Sequence, residues 1–144
     1  MSTETNKATV RRYYEEVHNQ GKRDVLNEIA VEDYVEHNPF PGQRQGLAGF
    51  YQWVEMLQTA FTMNFTIEDM IAEGDKVVVR WTNHNVHHGV FMGIPATGKS
   101  VIVSGIDIHL LRNGKLAEHW DVVDTLSLLQ QLGVLPEPNE RHPR

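Results

Sequence analysis

Two apolar runs that alternate with period two, joined by an Asn-Gly pair, constrain this chain more than any other feature. Ser100–Leu111 (SVIVSGIDIHLL) and Lys115–Val123 (KLAEHWDVV) flank Arg112-Asn113-Gly114. Asn-Gly between alternating runs is a strong signal for a β-hairpin with a tight turn. Side chains two residues apart on a strand share a face. Asp107 and His109 therefore point the same way, as do His119 and Asp121, while Ile106, Ile108, Leu110, Trp120 and Val122 take the opposite faces. If the two polar faces coincide, two carboxylates and two imidazoles line one cavity. A solvated sheet face would hold the same residues.

The segments before the hairpin divide into a helical half and a stranded half. Val10, Tyr13, Tyr14 and Val17 recur at helical spacing between Lys7 and Gln20, and Gly21 stops the run. A short helix is expected over Asp24–Ala30 and a longer one from Leu47 to Phe61. Glu36-His37-Asn38-Pro39-Phe40-Pro41-Gly42 reads as a loop, because two prolines and a glycine interrupt it. Phe65, Ile67 and Ile71 lead to a turn at Glu73-Gly74-Asp75, and Lys76–His87 is a long strand rich in Val, Trp and Thr. After the hairpin, Asp124 or Thr125 caps a last helix, TLSLLQQL, ending at Gly133. Helices followed by an antiparallel sheet give an α+β fold, the helices packed on one concave face. With no repeat and no linker, residues 1–144 read as one domain, with 134–144 as an extended tail.

The acidic balance, a net charge of −6, excludes the basic stripe of a nucleic-acid-binding protein. With no cysteine there is no thiolate nucleophile, disulfide or cysteine-based metal site. The N-terminus lacks the apolar core of a signal peptide, and no apolar run approaches membrane-spanning length. A soluble, cytoplasmic protein without a membrane partner is the expectation.

Gly93-Ile94-Pro95-Ala96-Thr97-Gly98-Lys99-Ser100 matches the P-loop pattern, but its context is wrong. A phosphate cradle needs a helix after it, whereas Ser100 opens a strand, and Pro95 removes a required N–H donor. His84, His87, His88, His109 and His119 invite a metal reading, yet consecutive His87 and His88 face opposite ways, and no metal site is expected. No G-x-S-x-G surrounds Ser104 or Ser127. Acid–base chemistry is better supplied: a carboxylate on an apolar cavity wall gains a raised pKa by desolvation, and a neighbouring imidazole can hydrogen-bond a carbonyl as it becomes an enolate. Asp121 and His109 are the right chemical types. Of the aromatic residues most belong to the core, and Trp81 is expected to line the pocket.

The stretch GVFMGIPATGKSVIVSGIDIHLLRNGKLAEHWDVVDTLSLLQQLG, with Tyr34-Val35-Glu36-His37-Asn38-Pro39 before it, resembles the SnoaL-like polyketide cyclase (ester cyclase) family. The resemblance implies the α+β cone of the nuclear transport factor two superfamily, shared with scytalone dehydratase and ketosteroid isomerase. It further implies cofactor-free intramolecular aldol ring closure in a polyketide ester, with Asp121 as general acid/base and His109 polarising a substrate carbonyl. By the same resemblance His119, Asp107, His37 and Asn38 shape the substrate site. Asp107 replaces an expected neutral polar residue; it could hold the His109 imidazole protonated, or repel Asp121 and raise its pKa further. The expected partner is a small hydrophobic carbonyl compound. A non-catalytic ligand-binding protein and a dehydratase-like hydration enzyme are the rival readings. The sheet face away from the helices would be exposed, so a homodimer or larger homo-oligomer is expected.

Overall fold

A computed structural model of the chain describes residues 2–137. The hairpin forms as its sequence demands: β5 spans Ser100–Arg112 and β6 spans Lys115–Val123, with Asn113 at φ 53° and Gly114 at φ 77°. Both turn residues are thus left-handed, the conformation that Asn-Gly tolerates best. The register sets Asp107 directly opposite Asp121 and His109 directly opposite His119. The two polar faces coincide, on the buried concave side.

β4, Lys76–His87, pairs antiparallel with β5 from Lys76↔Leu110 to Val86↔Ser100. Its other edge takes β2 (Phe61–Thr62) and β3 (Phe65–Glu73). Trp81 faces Gly105 across the sheet, and its indole lies over that glycine: a Cβ there would meet Trp81 Cζ2 at 2.3 Å. Gly105 is what lets the ring lie inside the cavity.

Two strands were not legible: β2 takes Phe61 from the expected end of the helix over Leu47–Phe61, and the other lies at the edge of the sheet. β1, Ala30–Glu36 (AVEDYVE), lies at the far edge and runs parallel to β6, so the curled sheet is mixed, in the order β1-β6-β5-β4-β2. Its acidic, poorly alternating sequence carries little strand signal by itself; pairing to β6 supplies what propensity does not.

The N-terminal helix also departs from expectation. α1, Thr3–Arg12, starts earlier than Lys7 because Ser2 caps it, its Oγ accepting from Thr5 N at 3.1 Å. It then widens into a π-helix, Tyr13–Asn19, closed by Gln20 N–H to Glu15 O. Such turns recur at functional sites, and this one buries Tyr13, Tyr14, Val17 and His18. A 3₁₀ turn (Arg23–Val25) leads into α2 (Leu26–Ile29), shorter than the helix expected over Asp24–Ala30 because Ala30 already belongs to β1. α3 (Gly46–Ala60) buries Phe50, Val54 and Leu57 against the sheet. α4 (Thr125–Gln131) is capped by Asp124, whose Oδ1 accepts from Ser127 N. The expected tail over 134–144 lies outside the described residues beyond 137.

The P-loop-like segment is a loop folded back on β4, with Gly98 N–H donating to His87 O and Thr97 N–H to His87 Nδ1, and Ser100 opens β5. No helix follows it to receive a phosphate. His84 and His88 are exposed while His87 is fully buried, so the three do not converge. No helix of the described residues is long and apolar enough to cross a membrane.

Candidate active site

The curled sheet and the helices line a cavity of about 540 Å³ that is partly open to solvent. Its walls are mostly aromatic and aliphatic: Trp53, Phe61, Phe65 and Leu128 are among them. Asp107, His119 and Asp121 reach it from the hairpin, Asn38 from the loop after β1, and Trp81 from β4. Asp107 and Asp121 share this wall because they are cross-strand partners.

Two expected site residues stand elsewhere. His109 is fully buried but does not line the cavity. It lies two residues nearer the turn than Asp107, where the π-helix covers the sheet, and its Nε2 is 2.7 Å from the Tyr14 hydroxyl. Tyr14 stands between it and the ligand space. His37 is on the outer side, stacked on Trp120 with ring centroids 4.3 Å apart and bonded to Glu118 Oε1 at 2.8 Å. The reason is alternation: Glu36 and Asn38 turn inward, so His37 turns outward. Trp120 points away from the pocket, as its position on β6 requires.

Three further residues belong to the site. Glu36 Oε1 accepts from His119 Nδ1 at 2.7 Å, while Asp107 Oδ1 accepts from His119 Nε2 at 3.1 Å. Tyr14 donates to Asp107 Oδ2 at 2.5 Å. With its one proton given to a carboxylate, Tyr14 accepts from His109 Nε2, which fixes the His109 tautomer. Glu36 was readable only as part of the loop motif; its strand partner on β6 identifies it. Tyr14 carried one usable signal, that a buried phenol must find a polar partner. His18, also in the cavity wall, carried none.

The charge pattern follows from these bonds. Burial alone would strip His119 of its proton, but the hydrogen bonds and charges of Asp107 and Glu36 outweigh it and push the imidazolium up to about 10. His119 is therefore a fixed cation between two buried carboxylates. Asp107 is also opposed by burial, yet the hydrogen bond and charge of His119 and the Tyr14 hydroxyl bring it below the usual carboxylate range. His109 goes the other way: desolvation first, then the His119 charge, push it down to about 3, so it is neutral. The imidazole that Asp107 holds protonated is His119, on the facing strand, because only that ring has carboxylates at both nitrogens.

Asp121 is tuned upward. Desolvation raises it, His119 partly counteracts, and the Asp107 and Glu36 charges raise it again, to about 6. Its backbone N–H donates to Asn38 Oδ1 at 2.9 Å, so Asn38 fixes the strand at the point where the carboxylate enters the cavity. A carboxylate of that pKa is ionised at pH 7 and remains a competent proton acceptor.

Asp107, His109 and His119 each offer a ligand atom within 4.8 Å of the others, a two-imidazole, one-carboxylate set that suits iron or zinc. Here both Asp107 oxygens accept hydrogen bonds and His119 holds a proton on each nitrogen. An ion would have to displace both the Tyr14 hydroxyl and a His119 proton.

Comparison with known proteins agrees with this architecture. The family model described as SnoaL-like polyketide cyclase matches residues 8–132. The chain is 33% identical to the aklanonic acid methyl ester cyclase DauD of Streptomyces sp. (strain C5), over 90% of this chain and 89% of that protein. It is 30% identical to the nogalonic acid methyl ester cyclase of Streptomyces nogalater, over 80% of this chain and 88% of that protein. Among solved structures, TsrD from Streptomyces laurentii superposes with a TM-score of 0.85 at 30% identity, over 94% of this chain and 99% of the other.

Proposed function

The chain belongs to the SnoaL-like polyketide cyclase family, and from that membership we propose that it closes a ring in a polyketide ester by an intramolecular aldol reaction. The observation that carries this reading is Asp121, a carboxylate tuned to about 6 at the wall of a largely apolar cavity. Asp121 removes a proton from the carbon next to the ester carbonyl. The enolate carbon then attacks a ketone carbon of the same molecule, forming the C–C bond. The new alkoxide takes the proton back from Asp121, so substrate and product are isomers and no co-reactant is consumed.

The remaining residues hold that carboxylate and its surroundings. Asn38 lies beside Asp121, and no hydrogen bond among the described residues uses its amide nitrogen, which serves as donor to the enolate oxygen. His119 neutralises part of the negative charge behind Asp121. His109 acts at one remove, by orienting Tyr14 and through it Asp107. Trp81 supplies a flat wall against which an aromatic ring system packs.

Incubation with an aromatic polyketide methyl ester bearing a side-chain ketone is expected to give a product of unchanged mass with one more ring, by chromatography and NMR. Binding of that ester with no isomerisation would point to a ligand-binding protein instead.

The proposal extends to assembly. The outer sheet face exposes Ile71, Ile102, Ile106 and Val122, the last at 75%, and a second copy of the chain covers it. Analytical ultracentrifugation is expected to show a dimer or larger species for the native chain and a monomer for Ile106→Lys/Val122→Lys. A monomeric native chain would end that part of the proposal.

A further inference from the structure

The cavity wall also holds His18, Trp81, Asn83 and Asn85, which take no part in the proton transfers above. They are 3, 6, 3 and 6% exposed. Neither ring nitrogen of His18, nor Trp81 Nε1, nor Asn85 Oδ1 has a hydrogen-bond partner among the described residues. Asn83 Oδ1 accepts from Asn64 N at 2.9 Å, but its amide nitrogen reaches only Met63 Sδ, at 3.6 Å. Each buried, unsatisfied polar group costs about 1–3 kcal/mol. A wall selected for stability alone would carry Phe and Leu at these positions. Three of them share the β4 wall, and His18 stands near it on the π-helix, with Phe65 between its ring and Trp81; together they indicate a ligand that completes them.

The placement indicates which part of the ligand. Trp81, Asn83 and Asn85 alternate along the concave face of β4, opposite Gly105, Val103 and Val101. Asp107, the cross-strand partner of Asp121, is four residues from Val103 and six from Val101 along β5. At strand spacing that puts Asn83 roughly 13 Å and Asn85 roughly 20 Å from the Asp107–Asp121 level. A molecule of one or two rings seated at Asp121 does not reach them. Phe65 lies 5.0 Å from both the His18 and Trp81 rings, so the space between is walled by flat apolar surfaces.

The chemistry of the four groups is uncharged. Trp81 donates only, and the Asn83 amide nitrogen donates. Asn85 Oδ1 accepts. His18, kept neutral because burial pushes it down to about 4, offers one donor and one acceptor. An ionised group placed among them would be desolvated with no opposing charge. Hydroxyl and carbonyl oxygens match all four.

We propose that His18, Trp81, Asn83 and Asn85 form a hydrogen-bonding subsite for neutral hydroxyl and carbonyl oxygens along an elongated, flat substrate, Asn83 and Asn85 meeting the end far from Asp121, and that they decide which substrates are accepted. The inference rests on the cyclase reading only in taking this cavity as the substrate site.

The test measures binding without turnover. Quenching of tryptophan fluorescence at pH 6 is followed with 1,8-dihydroxyanthraquinone and, in parallel, with anthracene, for the native chain, Asn85→Leu, His18→Phe and the double variant. Losing one neutral hydrogen bond is expected to raise the Kd of the hydroxyquinone by about 3- to 10-fold per variant, with anthracene binding unchanged or tighter. Melting temperature is expected to hold or rise, since an unsatisfied buried group has been removed. Equal weakening of both probes, or a hydroxyquinone Kd unmoved in every variant, would overturn the subsite. If His18→Phe does not fold, Asn85→Leu alone decides. Neither probe carries an ester to react, so the comparison needs no turnover. A failed isomerisation assay therefore leaves this comparison readable.

Discussion

Asp121→Asn is expected to lower kcat for ring closure by at least about 100-fold, the usual loss when a general base is removed, with the fold intact. The geometry should survive because the bond that places this residue runs from its backbone N–H to Asn38 Oδ1. The pH profile carries the sharper signature. In the native chain the carboxylate must be ionised to accept a proton, so kcat/KM should fall as pH drops below about 6. That limb should vanish in the variant. Stability should move in the opposite direction to activity. The folded-state pKa of Asp121 is raised above that of a free carboxyl, so its ionisation opposes folding as pH rises through about 6. Asp121→Asn removes that term and should melt at the same or a higher temperature at pH 7. Near-native turnover on a confirmed substrate would take Asp121 out of the mechanism.

His119→Leu should be the most destabilising single change in the site. It leaves Glu36 and Asp107 buried, their side chains 9% and 8% exposed, without the cation between them. Removing one partner of a buried ion pair costs about 3–5 kcal/mol. The pH dependence separates this from a simple packing loss. The raised His119 pKa contributes stability that is fully present below the ordinary imidazole value and is lost as pH climbs toward about 10. The native chain should therefore lose melting temperature between about pH 7 and 10, a loss the variant lacks. At acid pH Asp107 protonates in the variant, where His119 no longer holds its carboxyl low, and its cost disappears. The difference in melting temperature should thus be greatest near neutrality and shrink on both sides. Adding Asp107→Asn to His119→Leu should recover part of it. A difference that stays constant from pH 4 to 10 would mean that His119 is an ordinary core residue.

Alternation along one hairpin was enough to place Asp107, His119 and Asp121 on a common wall, because Asn-Gly at 113–114 defines the turn and the turn defines the register. The long strand Lys76–His87 and the Asp124 cap were equally legible, since both rest on local chemistry. Where the reading fell short, the deciding contacts were distant in sequence. Glu36 meets His119 across 83 positions, through a strand whose own residues barely favour β structure. Tyr14 meets Asp107 across 93 positions, on a helix that widens there. His109 shares a strand face with Asp107, which by alternation alone points it at the cavity; only the packing of Tyr14 over it shows that it lies behind the wall.

The sequence by itself determined the fold class, the polar face of the hairpin and the family resemblance, because these depend on periodicity, turn chemistry and motif, which act over a few residues. Tertiary structure alone decided the protonation pattern: His119 charged, His109 neutral, Asp121 poised near neutrality. Those states depend on burial and on partners brought from β1 and the N-terminal helix. Two histidines placed directly opposite each other therefore hold different charge states at neutral pH, His119 protonated and His109 neutral.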